Sequence, residues 1–281
     1  MNEFLPFIVA GLTAGSVYGL AGTGLVVTYK TTGILNFGQG AFATIGAYAF
    51  YWLYVDQGVS WPIAFAVTVL VLGPVLGILF ELLTRRLIKV SAVLQIAATV
   101  GIVLIVTAIA TLWYGRNGDL FPAYLPTSTI KIAGVFVGWD QIIITLIALV
   151  STMALYVFFK RSRTGAAMRA VVDNSELLDL GGTNPTAVRR WACIIGCSFA
   201  VMSGALIVPS LNLDAYVLTL LVVQSFGAAA IGYFSNLPLT YAGGLAIGVG
   251  ASLATKYSID VSWLNGLPRA SRSSCCSWCS S

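Results

Sequence analysis

The feature that most constrains the fold of this chain is a series of long apolar runs separated by short polar segments. A helix needs about 20 mostly apolar residues to cross the hydrocarbon core of a bilayer. Runs that approach this length, bounded by charge, proline or loop residues, cover Leu5–Thr28, Phe37–Val55, Trp61–Leu82, Ala92–Trp113, Gln141–Phe159, Trp191–Leu211, Tyr216–Phe234 and Thr240–Tyr257. The pattern predicts an all-α, polytopic transmembrane helical bundle with about eight visible spans.

The composition excludes a water-soluble domain. Apolar residues make up 58% of the 281 positions and charged residues 9%, whereas an ordinary soluble domain has roughly 25% charged residues. The absence of histidine excludes a metal site built on imidazole, and we expect no metal site of another kind. Cys193 and Cys197 are interpreted as small buried apolar residues. The basic residues are scattered between the apolar runs and form no basic face, so nucleic acid is not an expected partner.

The distribution of lysine and arginine predicts the orientation of the helices. Cytoplasmic loops carry an excess of these residues near the ends of the spans. If the N-terminus lies outside and the first span is retained, the inside loops hold Lys30, Arg85, Arg86, Lys89, Lys160, Arg161, Arg163, Arg169, Arg189 and Arg190. The outside loops hold only Arg116, Lys131 and Lys256. We therefore predict an outside N-terminus and a turn-rich outside loop between Tyr114 and Asp140.

The inside loop of residues 160–190 contains clear helix signals. Asn174 or Ser175 can cap a short helix, which the glycine pair after Leu180 closes. Asn184 caps a second helix with Pro185 at its first position, and this helix runs on into the sixth span. The short helix would present its leucines to a cytosolic partner that moves the membrane helices, or it would lie on the lipid surface as an amphipathic connector.

A family resemblance rests on this loop. It contains, in order, Arg163-Thr164-Gly165, Ala167-Met168-Arg169-Ala170-Val171, Asp173-Asn174, Glu176, Leu180-Gly181 and Asn184. This order resembles the coupling-loop signature of branched-chain amino acid ABC transporter permeases, with Leu178 where alanine is usual and Gly182 where an aliphatic residue is usual. The resemblance implies that the residues coupled to an ATPase are Gly165, Met168, Arg169, Ala170, Asn174, Glu176, Leu177, Leu180 and Gly181.

Two further segments resemble the same family. Tyr29, Thr32-Gly33, Leu35-Asn36-Phe37 and Gly40 match its first inside loop, with Gln39 where histidine is common. Ala230-Ile231-Gly232, Leu237-Pro238, Gly243-Gly244 and Gly248 match the run before its final helices. The chain resembles the Liv-H type of subunit more than the longer Liv-M type, and the translocation or gating candidates are Thr32, Gly33, Asn36, Phe37 and Gly40.

The first of these segments also has a structural interpretation. Thr32-Gly33 is expected to end the helix, and Asn36 can satisfy backbone groups that the break frees, as irregular backbone at membrane depth requires. Asn36 can alternatively face the solute path. The glycines of the first and last spans, from Gly11 to Gly24 and from Gly243 to Gly250, are spaced for close helix packing and could also mark a translocation seam.

The resemblance implies the permease subunit of an ABC importer that moves branched-chain (hydrophobic) amino acids across the bacterial cytoplasmic (inner) membrane. The implied partners are a second permease subunit of the Liv-M type, cytoplasmic ATP-binding subunits, a periplasmic or extracellular amino-acid-binding protein and membrane lipid. The sequence has no G-x-x-x-x-G-K-[ST] phosphate loop, so ATP would be used by a partner subunit and this chain would bind no cofactor.

Other functions remain open at this point. We find no nucleophile, general base or metal site of an enzyme. The only charged residue inside the predicted spans is Glu81, which we interpret as the partner of Arg85 in an ion pair at the membrane boundary. The alternatives are a secondary transporter or channel for a small solute that works without ATP and, less favoured, a structural membrane subunit.

The sequence predicts a permease domain over residues 1–268 and an aberrant tail over residues 269–281. Residues 273–281 are only Ser, Cys and Trp. Cys and Trp codons begin with TG, and four of the six Ser codons begin with TC. If the serines here use TC codons, reading the gene one base earlier gives only Leu, Val, Met, Phe or Ile codons. We therefore predict that a frameshift has replaced a ninth span; the alternative is a natural Ser/Cys-rich tail.

Overall fold

The computed structural model describes residues 4–88, 90–114, 122, 124–125, 128–132, 135–173, 184–211 and 213–260. These residues are almost entirely helical. In chain order the helices are α1 (Leu5–Thr32), α2 (Gln39–Tyr51), α3 (Trp61–Val67), α4 (Gly73–Leu87), α5 (Ala92–Tyr114), α6 (Trp139–Arg161), α7 (Arg163–Asp173), α8 (Pro185–Leu211), α9 (Ala215–Ile231) and α10 (Leu237–Asp260). Five-residue π-helical segments extend α2 to Asp56 and join α3 to α4. The predicted aberrant tail lies outside the described residues.

The predicted polytopic helical bundle is confirmed. Among the described residues, six stretches are long and apolar enough to cross a membrane, namely Leu5–Thr32, Trp61–Leu87, Ala92–Tyr114, Trp139–Arg161, Pro185–Pro209 and Leu237–Lys256. The other two predicted spans correspond to α9, with 17 residues, and to α2, with 13 residues before its π-helical extension. Helix length therefore supports six of the eight predicted spans, while α2 and α9 are shorter.

Helices α1 and α8 form the centre of the bundle. Both pack against several other helices, and most of α8 is buried, whereas α5 lies at the periphery with most of its side chains exposed. The glycines of α1 allow close contact with α10: a Cβ atom at Gly15 would lie 2.8 Å from Cα of Leu245, and one at Gly11 would lie 2.7 Å from Cα of Val249. Ordinary close packing thus accounts for these glycines.

The outside loop contains an element that the sequence did not predict. Strands β1 (Thr129–Ile132) and β2 (Val135–Gly138) form an antiparallel hairpin in which Ile130 lies opposite Val137. The expectation of a purely helical chain with a turn-rich loop is incomplete here, because two four-residue strands give too short an alternation to be recognised.

Tyr124, which precedes the hairpin in the same loop, is buried against Phe50, Tyr54 and Trp61. Its hydroxyl donates a hydrogen bond to the carbonyl of Ala205 at 3.3 Å. Burial, and secondarily the charge of Asp140, raise the pKa of Tyr124 above its ordinary value. The tyrosine is therefore a neutral hydrogen-bond donor that links the loop to α8.

Candidate functional site

The predicted break after α1 is present. The helix ends at Thr32, and Gly33 adopts the left-handed conformation with φ 70°, which glycine accepts without strain. Its N–H donates to the carbonyl of Tyr29 at 2.8 Å, and the N–H of Ile34 donates to the hydroxyl of Thr32 at 3.2 Å. The chain becomes helical again at Gln39. Thr32 and Gly33 therefore terminate the helix and satisfy the first freed backbone groups themselves.

Among the described residues, no side-chain hydrogen bond supports the structural interpretation of Asn36, and both interpretations stay predictions. Asn36 is only 1% exposed, yet neither its amide nitrogen nor its amide oxygen has a hydrogen-bond partner among the residues that the structure describes. The N–H groups of Gly33 and Ile34 find their partners in Tyr29 and Thr32 and do not use Asn36. A buried amide without a partner costs about 1–3 kcal/mol of stability, which favours a functional reason for its presence.

Aromatic side chains pack against one another beside the break. Phe37 stacks on Phe226 of α9 with the ring centres 4.5 Å apart, and Phe226 contacts Phe234. Phe234 also contacts Tyr29, with ring centres 5.2 Å apart. Gly40 lies against the backbone of α9, because a Cβ atom there would overlap the carbonyl of Thr219. Two of the gating candidates, Phe37 and Gly40, thus pack against α9, and the aromatic contacts continue through Phe234 to Tyr29 of α1.

Gln39 is a polar residue of this region that the predicted set of site residues omitted. It is fully buried at the start of α2, and its side-chain nitrogen donates to the carbonyls of Gly196 in α8, at 3.2 Å, and of Ala21 in α1, at 3.4 Å. It therefore ties three helices together beside the break. The sequence feature that could have identified Gln39 is its amide side chain at the start of an otherwise apolar run.

The coupling candidates at the start of the cytoplasmic loop divide into two groups. Gly165 and Met168 are buried, whereas Arg169 and Ala170 are exposed. Gly165 lets α7 fold back on the end of α6, since a Cβ atom there would lie 2.7 Å from Cα of Phe159. The hydroxyl of Ser162 accepts a hydrogen bond from the N–H of Gly165 at 2.9 Å and so caps α7.

Met168 and Val171 anchor α7 in the membrane domain. Met168 is 0% exposed and Val171 is 2% exposed. They belong to a buried apolar cluster with Leu25, Val26 and Val27 of α1, Leu155 and Phe159 of α6, and Val188 and Ala192 of α8. Helix α7 is therefore packed directly against α1, the helix that ends at the break.

The remaining coupling candidates and the predicted short helix lie outside the described residues. These candidates are Asn174, Glu176, Leu177, Leu180 and Gly181, and their role stays a prediction. The second predicted helix is confirmed: α8 begins at Pro185, and the side-chain oxygen of Asn184 accepts a hydrogen bond from the N–H of Thr186 at 2.9 Å. In the sequence, residues 174–183 connect α7 to α8.

Two of the predictions for buried residues are also confirmed. Glu81 forms an ion pair with Arg85, one helical turn later. Cys193 and Cys197 are fully buried in an apolar cluster with Phe42, Leu76 and Phe80. Neither observation indicates a reactive centre.

A cavity of about 630 Å³ lies between α2 and α5. Its walls are mostly apolar and aromatic and include Ile45, Tyr48, Trp52, Ile109 and Trp113. Thr44, at its edge, lies 3.2 Å from the hydroxyl oxygen of Thr219, which is 3.3 Å from that of Thr107. The cavity therefore combines a large apolar surface with few polar groups, among them the hydroxyl of Thr44, as small-molecule sites commonly do.

Comparison with known proteins gives the family of the chain. The profile of the family described as branched-chain amino acid transport system / permease component matches residues 7–267. The permease protein LivH of the high-affinity branched-chain amino acid transport system of Escherichia coli K12 is 23% identical over 267 residues, which cover 90% of this chain and 87% of the relative.

Other relatives give the same result. BraD, the corresponding permease protein of Pseudomonas aeruginosa, is 25% identical over 260 residues, covering 88% of this chain and 85% of the relative. A probable LivH of Methanocaldococcus jannaschii is 26% identical over 253 residues, covering 85% and 77%. No solved structure matches the chain. With its apolar helices, the chain is a multi-pass protein of the inner membrane, and it belongs to the branched-chain amino acid transport permease family.

Proposed function

We propose that this chain is the Liv-H type permease subunit of an ATP-binding cassette importer for branched-chain amino acids. It performs no reaction of its own and binds no cofactor; ATP is used by separate cytoplasmic subunits. A second permease subunit of the Liv-M type and an external amino-acid-binding protein complete the transporter. The family membership and the relatives named above support this proposal.

The single structural observation that carries the proposal is the burial of Met168 and Val171 of α7 against α1. Packed cores are nearly incompressible, so a displacement of α7 cannot be absorbed by empty space and must move its neighbours. Helix α1 ends at the Gly33 break, one turn after Tyr29. A force on the cytoplasmic loop therefore reaches the break through contiguous packing.

The break and the apolar cavity supply the features that a path for apolar amino acids needs. The α2–α5 cavity offers aliphatic and aromatic walls to the solute side chain, and the hydroxyl of Thr44 in its wall can accept a hydrogen bond from an ammonium group. The buried amide of Asn36 can donate to a carboxylate and accept from an ammonium. We assign Asn36 to the solute path for this reason, with Thr32, Gly33, Phe37 and Gly40 shaping the break.

Reconstitution tests the proposal. The chain is assembled with its partner permease, ATP-binding subunits and binding protein in vesicles, and uptake of radiolabelled leucine, isoleucine and valine is measured with and without ATP. Uptake that requires both ATP and the ATP-binding subunits is expected. If the purified chain alone moves these solutes down a gradient without partners, the secondary transporter or channel is correct and the importer is not.

A further inference from the structure

Glu81 is a buried carboxylate that the proposed transport path does not use. It lies on α4 and only 2% of its side chain is exposed. One oxygen contacts Nε of Arg85 on the same helix, and the other lies 3.8 Å from Nε of Arg190 on α8. A carboxylate in a membrane span is costly unless cations compensate it. Here the compensating cations come from two different helices.

The contact with Arg190 continues a regular line of contacts between α4 and α8. On α4, Gly73, Gly77 and Glu81 are spaced four residues apart and share one face. A Cβ atom at Gly73 would lie 2.7 Å from Cα of Ser198, and one at Gly77 would lie 2.8 Å from N of Ile194. Ser198, Ile194 and Arg190 are spaced four apart in the opposite direction. The two helices are therefore antiparallel and in register along three successive turns.

Arg190 occupies the end of this line that receives the cytoplasmic loop. Helix α8 begins at Pro185, directly after the segment 174–183, and Arg190 lies in its second turn. The glycine contacts lie between α4 and the middle of α8, whereas the Glu81–Arg190 contact lies at the first turns of α8. Displacement of the loop thus acts on α8 at the position where Glu81 and Arg190 meet.

We propose that Glu81 is a positioning residue that makes α4 move with the N-terminal end of α8 when the cytoplasmic loop is displaced. This inference rests on the proposed function, because it requires an ATPase that acts on the loop. It adds a second route to the one through Met168. The loop drives α1 through α7, and it drives the continuous helix Trp61–Leu87, which contains α3 and α4, through Arg190 and Glu81. The charge pair serves coupling, while the glycine contacts serve assembly.

The test compares four variants in the fully assembled transporter in vesicles. They are Glu81→Gln, Arg190→Met, the double variant and the control Arg86→Met. Arg86 is exposed at the same end of α4 and forms no ion pair with Glu81 in the described structure, so the control removes a charge at the same depth. The measured quantity is the amount of amino acid imported per ATP hydrolysed.

We expect each single variant to assemble, to hydrolyse ATP and to lower the import ratio at least about fivefold, the lower end of usual coupling between sites. The double variant should be no worse than the poorer single variant, because both changes remove one interaction. The control should match the unmodified transporter.

The outcomes separate this inference from the proposed function. If the unmodified transporter shows no ATP-driven import, the proposed function fails. If it imports but both single variants keep the normal ratio, or if their defects multiply in the double variant, the positioning role of Glu81 is refuted. Should Glu81→Gln fail to assemble, Arg190→Met carries the same test, because the Arg190 side chain is half exposed and its loss leaves no cavity in the core.

Discussion

The anchoring of α7 gives a prediction whose size follows from the structure. Met168 is fully buried between α1, α6 and α8, and replacing a buried methionine by alanine costs about 2–5 kcal/mol. Helix α7 has 11 residues, and a helix this short is not stable without tertiary contacts. The loss therefore falls on the docking of α7, whose docked-to-detached ratio should drop by about 30-fold to a few thousand-fold in Met168→Ala.

Hydrogen exchange of the α7 amides in lipid nanodiscs measures this change. Exchange over Arg163–Asp173 should accelerate by at least about tenfold in Met168→Ala, since it reports local detachment, while α8 keeps its protection. Met153→Ala is the matched control, because Met153 on α6 is 59% exposed and its truncation removes little packing within the protein. Equal exchange in the two variants would refute the anchoring role of Met168.

Replacing Asn36 with leucine should abolish ATP-driven uptake but leave the melting temperature unchanged or higher, because the buried amide has no protein hydrogen bond to lose; a drop of more than about 4 °C would contradict this. Gly15→Leu should destabilise the bundle by about 3 kcal/mol or more, since the new side chain would overlap α10. Gly250→Leu is its control, because no described atom outside its own helix turn lies within 4 Å of a Cβ atom added there. Equal thermal stability of the Gly15→Leu and Gly250→Leu variants would contradict this prediction. Sequencing the gene over codons 273–281 should show only TC-type serine codons, and a single AG-type codon in that stretch would eliminate the frameshift.

Some of the structure could be predicted because its signals are local. The end of α1 at Thr32-Gly33 and the start of α8 at Asn184-Pro185 depend on the conformational preferences of glycine and proline and on a capping side chain within two residues. The ion pair of Glu81 with Arg85 follows from a spacing of four residues within one helix.

The parts that were missed or misjudged depend on residues that are distant in the sequence. For Asn36 the sequence left open a role at the break and a place in the solute path, and it does not show that the N–H groups of Gly33 and Ile34 find other partners. The bridge that Gln39 makes to α1 and α8, and the approach of Arg190 to Glu81, likewise require three-dimensional positions. The hairpin Thr129–Gly138 is too short to give a clear alternating pattern.

The sequence by itself determined that this chain is a polytopic helical membrane protein of a known permease family, because long apolar runs have few stable alternatives in lipid and the family motifs are contiguous. The tertiary structure decided which motif residues are buried and which are exposed: Met168 is packed against α1, whereas Arg169 next to it is exposed. It also decided that Glu81 has a partner on α8 as well as on its own helix. The physical reason is that helix formation in a membrane is set by local hydrophobicity, while the pairing of helix faces is set by packing between segments far apart in the chain.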